Sequence, residues 1–302
     1  MNDKSNPLLC DPVSGICEIP TEQDANPNVA ITSSEKPLRI LYFTDPICSS
    51  CWGIEPALRK LKLTYGDWVD VEYHMGGLLP DWSYNSGGIS KPSDVASHWD
   101  EVSQIYGMPI DGDVWLEDPL HSSYPPSVAF KAAQMQDKNK AVAFLRAIRE
   151  QVFLEKKNIT KWEHLAQAAS RVVLDVAALK DDYENRANAL FQSDLALAKS
   201  MGVRGFPSIF IMDASGNQEF IYGVKPYDVL KNAIDKLYPE AQEKEYDKRW
   251  ESLFNKYPTL TTREFAELSG LPIPQSEEIL KGLSSQQKLT EYVTKNGSLW
   301  RK

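Results

Sequence analysis

Cys48 and Cys51 stand three residues apart in the stretch "TDPICSSCW", residues 44 to 52. On a helix, positions i and i+3 share a face, so two thiols at that spacing can close a disulfide within one turn. At the start of a helix, Cys48 meets orphan backbone N–H groups and the positive end of the macrodipole. Both favour an anion, lower the thiol pKa and raise the thiolate fraction that disulfide exchange needs. The hydroxyls of Ser49 and Ser50 can add hydrogen bonds to the sulfur. Cys51, one turn deeper, is then the expected resolving thiol. Two readings compete with a redox centre. One is a reduced, buried pair of small residues. The other is zinc: Cys10 and Cys17, spaced C-x6-C, can join Cys48 and Cys51 in a Cys₄ site, although the spacing is unusual and ligation would quench exchange. Outside a metal site, Cys10 and Cys17 fit a second pair, an accessory thiol relay, or no role.

A second element lies far along the chain. "GVRGFPSIF" places Pro207 directly after Gly205 and Phe206 and before an apolar run. Proline cannot donate to a sheet ladder, so the position predicts a strand entrance or tight turn, with a cis bond as one form of it. Such a bend beside the cysteine turn offers backbone groups to an extended peptide. His74, His98, His121 and His164 show no metal-ligand spacing, and the glycine pairs at 76–77 and 87–88 show no phosphate-loop pattern. The exchange chemistry requires no organic cofactor and no metal.

The elements that must position these residues can be read from the hydrophobic pattern. "LRILYF", 38 to 43, predicts a buried strand ending at the cysteine turn. Ile54, Leu58 and Leu61 recur at helical spacing between Ser49 and Tyr65, and Pro56 predicts a kink there. "WVDVEYHMGGLL", 68 to 79, reads as a second strand. A long block with helical periodicity follows, about 90 to 200, and Gly202 is a natural helix stop. "PSIFIMD" and "QEFIYGV" flank "ASGN" as a hairpin, and "PYDVLKNAIDKLY" closes with a helix. A βαβ half joined to a ββα half is the thioredoxin plan, with the helical block inserted between the halves. The expected division is an extended N-terminal arm over 1–36, a thioredoxin-like α/β domain over 37–240 with its insertion at about 85–200, and a C-terminal unit over 241–302. In that last unit "EAQEKEYDKRWESLFNKYP" predicts a charged connecting helix. Thr261 with Glu264 forms a capping box before a short helix, and Asn296-Gly297 marks a hairpin. Helix, turn, helix, hairpin is a winged-helix-like order.

Composition limits the partners. The chain has 302 residues, 42% hydrophobic and 25% charged, with a net charge of −9, the profile of an ordinary soluble globular protein. The acidity opposes electrostatic capture of nucleic acid or anionic membrane and suits a basic protein or peptide. From Ala241 onward there are ten Lys/Arg and nine Asp/Glu, a net of +1, so protein docking or packing is expected of the C-terminal unit rather than DNA binding. The N-terminus lacks a charged n-region followed by an apolar h-region, and no apolar run approaches the eighteen or so residues of a membrane span. A cytoplasmic location is expected, where a Cys-x-x-Cys pair reads as redox or metal before structural staple.

"FTDPICSSCW" with "GVRGFPSIF", and the helical block between them, resembles the DsbA family of thiol–disulfide oxidoreductases. The fuller pattern "DPICSSCWGIEPALRKL" is similar to its cytoplasmic branch, which contains dithiol–disulfide isomerases and the SpxH (YjbH) adaptors. The resemblance covers roughly residues 37 to 238 and implies a thioredoxin fold with a helical insertion. By position it implies Cys48 as nucleophile, Cys51 as resolving cysteine and Pro207 as the cis-proline, with Trp52, Phe206 and Met75 as neighbours on the substrate-binding surface. The Ser-Ser between the cysteines departs from DsbA, which uses a histidine there to stabilise its thiolate. The expected function is an enzyme, a thiol–disulfide oxidoreductase or isomerase acting on protein or peptide disulfides. The alternative is an SpxH-like adaptor, which delivers the regulator Spx to the ClpXP protease.

Overall fold

A computed structural model describes residue 11 and residues 14–18, 36–83 and 91–302. The described chain begins with strand β1 (Cys17–Glu18), then β2 (Leu38–Thr44), helices α1 (Ser49–Gly53) and α2 (Glu55–Thr64), and β3 (Val69–Met75). Seven helices follow: α3 (Ser93–Tyr106), α4 (Val114–Glu117), α5 (Tyr124–Gln136), α6 (Lys138–Phe153), α7 (Trp162–Arg171), α8 (Val176–Asn185) and α9 (Ala187–Ser200). Then come β4 (Gly205–Phe206), β5 (Ser208–Asp213), β6 (Gln218–Tyr222) and α10 (Tyr227–Leu237).

Four strands form one sheet in the order β3-β2-β5-β6, with β2 parallel to β3 and antiparallel to β5, and β5 antiparallel to β6. Strand β2 is central, and its run Ile40, Leu41, Tyr42, Phe43 is fully buried on both faces. That explains the lack of alternation in its sequence: helices cover both sides. α10 packs on β5, β6 and α2, while α9 packs on β3. This is a thioredoxin-like α/β fold with a helical insertion, α3 to α9, between β3 and β4. The expected kink at Pro56 is a break: Pro56 opens α2, and Ile54 separates it from α1. Proline is tolerated there because the first turn has no intrahelical N–H bond to lose.

The remaining chain forms a small β-containing region: α11 (Trp250–Lys256), β7 (Thr259–Thr261), α12 (Thr262–Ser269), α13 (Ile273–Ser285), β8 (Thr290–Thr294) and β9 (Gly297–Arg301). Its strands form an antiparallel sheet in the order β7-β9-β8. Phe254, Leu260, Phe265, Leu280 and Trp300 belong to an apolar cluster of its own. The Thr261–Glu264 capping box is formed. The long connecting helix is not, since only Trp250–Lys256 is helical. The preceding segment spends its polar groups elsewhere: Lys244 N–H donates to Thr64 O at 2.8 Å, Trp68 Nε1 to Gln242 O at 3.1 Å, and Arg249 N–H to Asp247 Oδ1 at 3.0 Å. The tertiary bonds to Thr64 and Trp68 and the local Asp247–Arg249 bond compete with helix formation.

A buried charge network joins this region to the larger one. Glu264, fully buried, accepts hydrogen bonds from Arg146 Nη1 and Nη2 of α6 at 2.7 and 3.0 Å and lies 3.2 Å from Arg59 Nε of α2. Arg59 also donates to Thr259 O at 2.8 Å. Lys295, at the tip of the β8–β9 hairpin, pairs with Asp100 at 2.5 Å and Asp113 at 2.9 Å.

Candidate functional site

The site is built where β2 ends. Thr44 and Asp45 lead into a turn, and Cys48 becomes the N-cap of α1 with φ −75° and ψ 110°. Its Sγ accepts the Cys51 N–H at 3.1 Å, so the helix start does offer a donor to the sulfur. Both cysteines are free thiols, and both are fully buried. The Ser50 hydroxyl shares a hydrogen bond with Tyr106 OH, 2.8 Å away, rather than with a sulfur.

The Phe206–Pro207 bond is cis. Ser208, the next residue, pairs with Phe43 on β2, and this register brings the proline loop to the same end of the sheet as the cysteine turn. The third wall comes from the N-terminal arm. Cys17 pairs with Phe206 and Glu18 with Gly205 in an antiparallel two-strand ladder, and Cys17 Sγ lies 3.3 Å from Cys48 Sγ. The structure thus brings Cys48, Cys51 and Pro207 together and adds Cys17.

Trp52, Met75 and Phe206, like the two cysteines, are fully buried in this structure. Trp52 Nε1 donates to Pro109 O at 3.0 Å, its ring stacks on Phe153, and Arg146 lies 4.2 Å above its ring. Met75 N–H donates to Asp194 Oδ2 at 2.9 Å. The Phe206 ring fills the space over Gly76, where an added Cβ would lie 1.8 Å from it; the backbone of Phe206 is what faces the arm. The Cys₄ alternative is not formed. Cys17 is disulfide-bonded and so is no thiolate ligand, Cys10 lies outside the described residues, and among the described residues no group of three or more His, Cys, Asp or Glu could hold a metal.

The electrostatics also depart from expectation. Burial pushes the Cys48 thiol well above its ordinary value, and its hydrogen bond to Cys51 adds to this. Burial alone would raise Cys51 as well, but the hydrogen bond from Cys48, the Arg149 guanidinium and Thr44 more than offset it, so Cys51 is the acidic member. Arg149 is the residue that sequence reasoning missed. Fully buried in α6, it donates to Thr44 Oγ1 at 2.6 Å, to Asp45 O at 3.1 Å and to Glu55 at 2.7 Å. Asp45 accepts from Ile47 N–H, Leu78 N–H and Ser123 Oγ at 3.0, 2.8 and 2.8 Å. Desolvation still holds its carboxyl up at about 6. Asp45 stands inside the quoted motif but was not singled out from it; Arg149 sits in an ordinary helical stretch, a hundred residues away, with no local signal.

Comparison with known proteins places this geometry. A family model described as "Thioredoxin" matches residues 41–232, and the chain belongs to that thioredoxin-like class. The cytosolic disulfide reductase DsbM from Pseudomonas aeruginosa superposes with a TM-score of 0.54 at 23% identity, covering 66% of this chain and 99% of its own. A disulfide-isomerase-like structure from Nitrosomonas europaea gives 0.58 at 19% identity, covering 67% and 97%. At such identities the likeness shows the fold alone. The ClpXP adapter protein SpxH of Halalkalibacterium halodurans is 34% identical over 307 aligned positions, spanning 100% of this chain and 99% of its own length. The SpxH of Shouchella clausii is 32% identical, over 97% and 96%. The chain is a member of the SpxH family. These relatives overturn the expectation of an enzyme: they are named as adapter proteins, and the oxidoreductases share the fold at low identity over two-thirds of the chain.

Proposed function

We propose that this protein is an adaptor that presents a client protein to the ClpXP protease. The observation that carries the reading is coverage. The likeness to the disulfide reductase stops at 66% of the chain, whereas the adapter relative spans all of it, the C-terminal region included. In this reading the thioredoxin-like part, 37–240, and the winged-helix-like unit, 241–302, form one docking body, held by the buried Glu264 contacts with Arg146 and Arg59. A rigid join suits a protein that must hold a client and a protease in one geometry. Among the described residues no helix is long and apolar enough to cross a membrane, which agrees with work beside a cytoplasmic protease.

The test uses Spx, the client implied by the family resemblance. Light scattering of the full chain mixed with Spx and ClpX should give one species containing all three. Two separate binary complexes that exclude one another, or no binding of either, would refute the adaptor reading.

A further inference from the structure

The N-terminal arm is not passive where it is described. Residues 11 and 14–18 form a turn docked on the loop after β6. Asp11 N–H donates to Ile16 O at 2.7 Å, Gly15 N–H to Asp11 O at 2.7 Å, and Val224 N–H to Gly15 O at 2.9 Å. The docking depends on two glycines with positive φ, Gly15 at 70° and Gly223 at 79°. A Cβ on Gly15 would lie 2.7 Å from Val224 N, and one on Gly223 would lie 2.4 Å from Ser14 O. From this anchor the chain runs as β1 along Gly205–Phe206, the backbone edge beside cis-Pro207 that an extended peptide would use. It ends with a disulfide-bonded sulfur against a free thiol, Cys17 Sγ 3.3 Å from Cys48 Sγ, both residues fully buried.

We propose that the Cys17 segment is an internal occupant of this groove, and that Cys17 exchanges its disulfide with Cys48 to form a covalent latch. The step balances within the chain. Cys48 gives up its proton, and its sulfur attacks Cys17 Sγ; the Cys17–Cys48 bond forms, Cys17's present disulfide breaks, and the sulfur that leaves takes up a proton. Cys51 then gives up its proton and attacks Cys48 Sγ, the Cys48–Cys51 disulfide forms, and Cys17 departs as a thiolate that takes up a proton. Two electrons pass from the Cys48/Cys51 dithiol to the disulfide that Cys17 carries, with no outside oxidant or reductant. The acidity of Cys51, set by Cys48, Arg149 and Thr44, suits the second attack. This is a single event within one molecule, with no turnover of a foreign disulfide. Its consequence is regulatory: the redox state of Cys17, Cys48 and Cys51 decides whether the groove is closed by the protein's own strand.

The test needs neither protease nor client, so it stands or falls apart from the adaptor reading. Full-length Cys51→Ser is incubated in its native state with iodoacetamide, then mapped as non-reduced peptides by mass spectrometry. Exchange yields a Cys17–Cys48 cross-link, with the alkyl group on the cysteine that Cys17 released. Alkylation on Cys48 with Cys17's original disulfide unchanged overturns the exchange. A second variant, Gly15→Val, acts on the arm alone. It should speed alkylation of Cys48 at least about tenfold over the otherwise unaltered chain by lifting the arm from the site. Equal rates would overturn the latch.

Discussion

Replacing Glu264 by glutamine should loosen the C-terminal region from the larger one, and the size of the effect follows from the contacts. The carboxylate is fully buried, receives two hydrogen bonds from Arg146, lies 3.2 Å from Arg59 and closes the capping box by accepting the Thr261 N–H at 2.7 Å. Removing one member of a buried ion pair costs about 3–5 kcal/mol, because the partner charge stays buried. Glutamine keeps the shape and one acceptor, so the lower end applies, about 3 kcal/mol. Arg146 and Arg59 hold the Glu264 carboxyl below the usual glutamate range against the upward push of burial. A depressed folded pKa means this stabilisation is present above the unfolded value, about 4.3, and is lost as pH falls through the folded one. Hydrogen exchange of α12 at neutral pH is the assay, since a chain with two cores need not unfold in one step. A loss of about 3 kcal/mol speeds exchange by local opening about 150-fold. Exchange of α12 in Glu264→Gln changed by less than about threefold would refute the coupling.

Three further outcomes are expected. Gly76→Ala drives a methyl into the Phe206 ring, and overpacking of that kind costs about 1–3 kcal/mol; a thermal melt unchanged from the parent would show that the ring is not fixed there. Asp45 has a raised folded pKa, about 6, so its neutral form stabilises the fold below the unfolded value, and that contribution is lost as pH rises through 6. The loss amounts to about 3 kcal/mol from an unfolded value near 3.9, and in Asp45→Asn the stability-versus-pH curve should lack this slope; persistence of the slope would move its source to another group. Cys48→Ser with Cys51→Ser should leave delivery of Spx to ClpXP intact under reducing conditions, and abolished delivery in a folded double variant would tie the adaptor to thiol chemistry.

Much of the fold was legible because its signals are local. "LRILYF", the Ser49–Tyr65 periodicity broken by Pro56, the Asn296-Gly297 turn and the Thr261–Glu264 box each carry their instruction within a few residues. The neighbours of Pro207 left a cis bond as one form of a strand entrance, and the family resemblance implied it; the bond is cis. What escaped was set by tertiary contact. Trp52 directly follows Cys51 yet turns into the core, where Phe153 and Pro109 provide partners, and Met75, the register partner of Thr44, is fully buried. The thiol electrostatics inverted because Arg149, from the insertion, reaches under Cys51 while burial of Cys48 outweighs its helix-start donor. Residues 17 and 18 lie in a stretch without periodicity, and pairing with Gly205 and Phe206 alone makes them a strand. The motif pointed to a redox enzyme, whereas full-length similarity points to an adaptor, since the cysteine turn and proline loop belong to the fold as much as to one activity.

The most direct test of the adaptor account is the initial rate of Spx degradation by reconstituted ClpXP, under reducing conditions, with and without the full-length protein. The account predicts a rate that rises with the protein's concentration and saturates as client binding fills. Degradation that proceeds equally fast in its absence would contradict it.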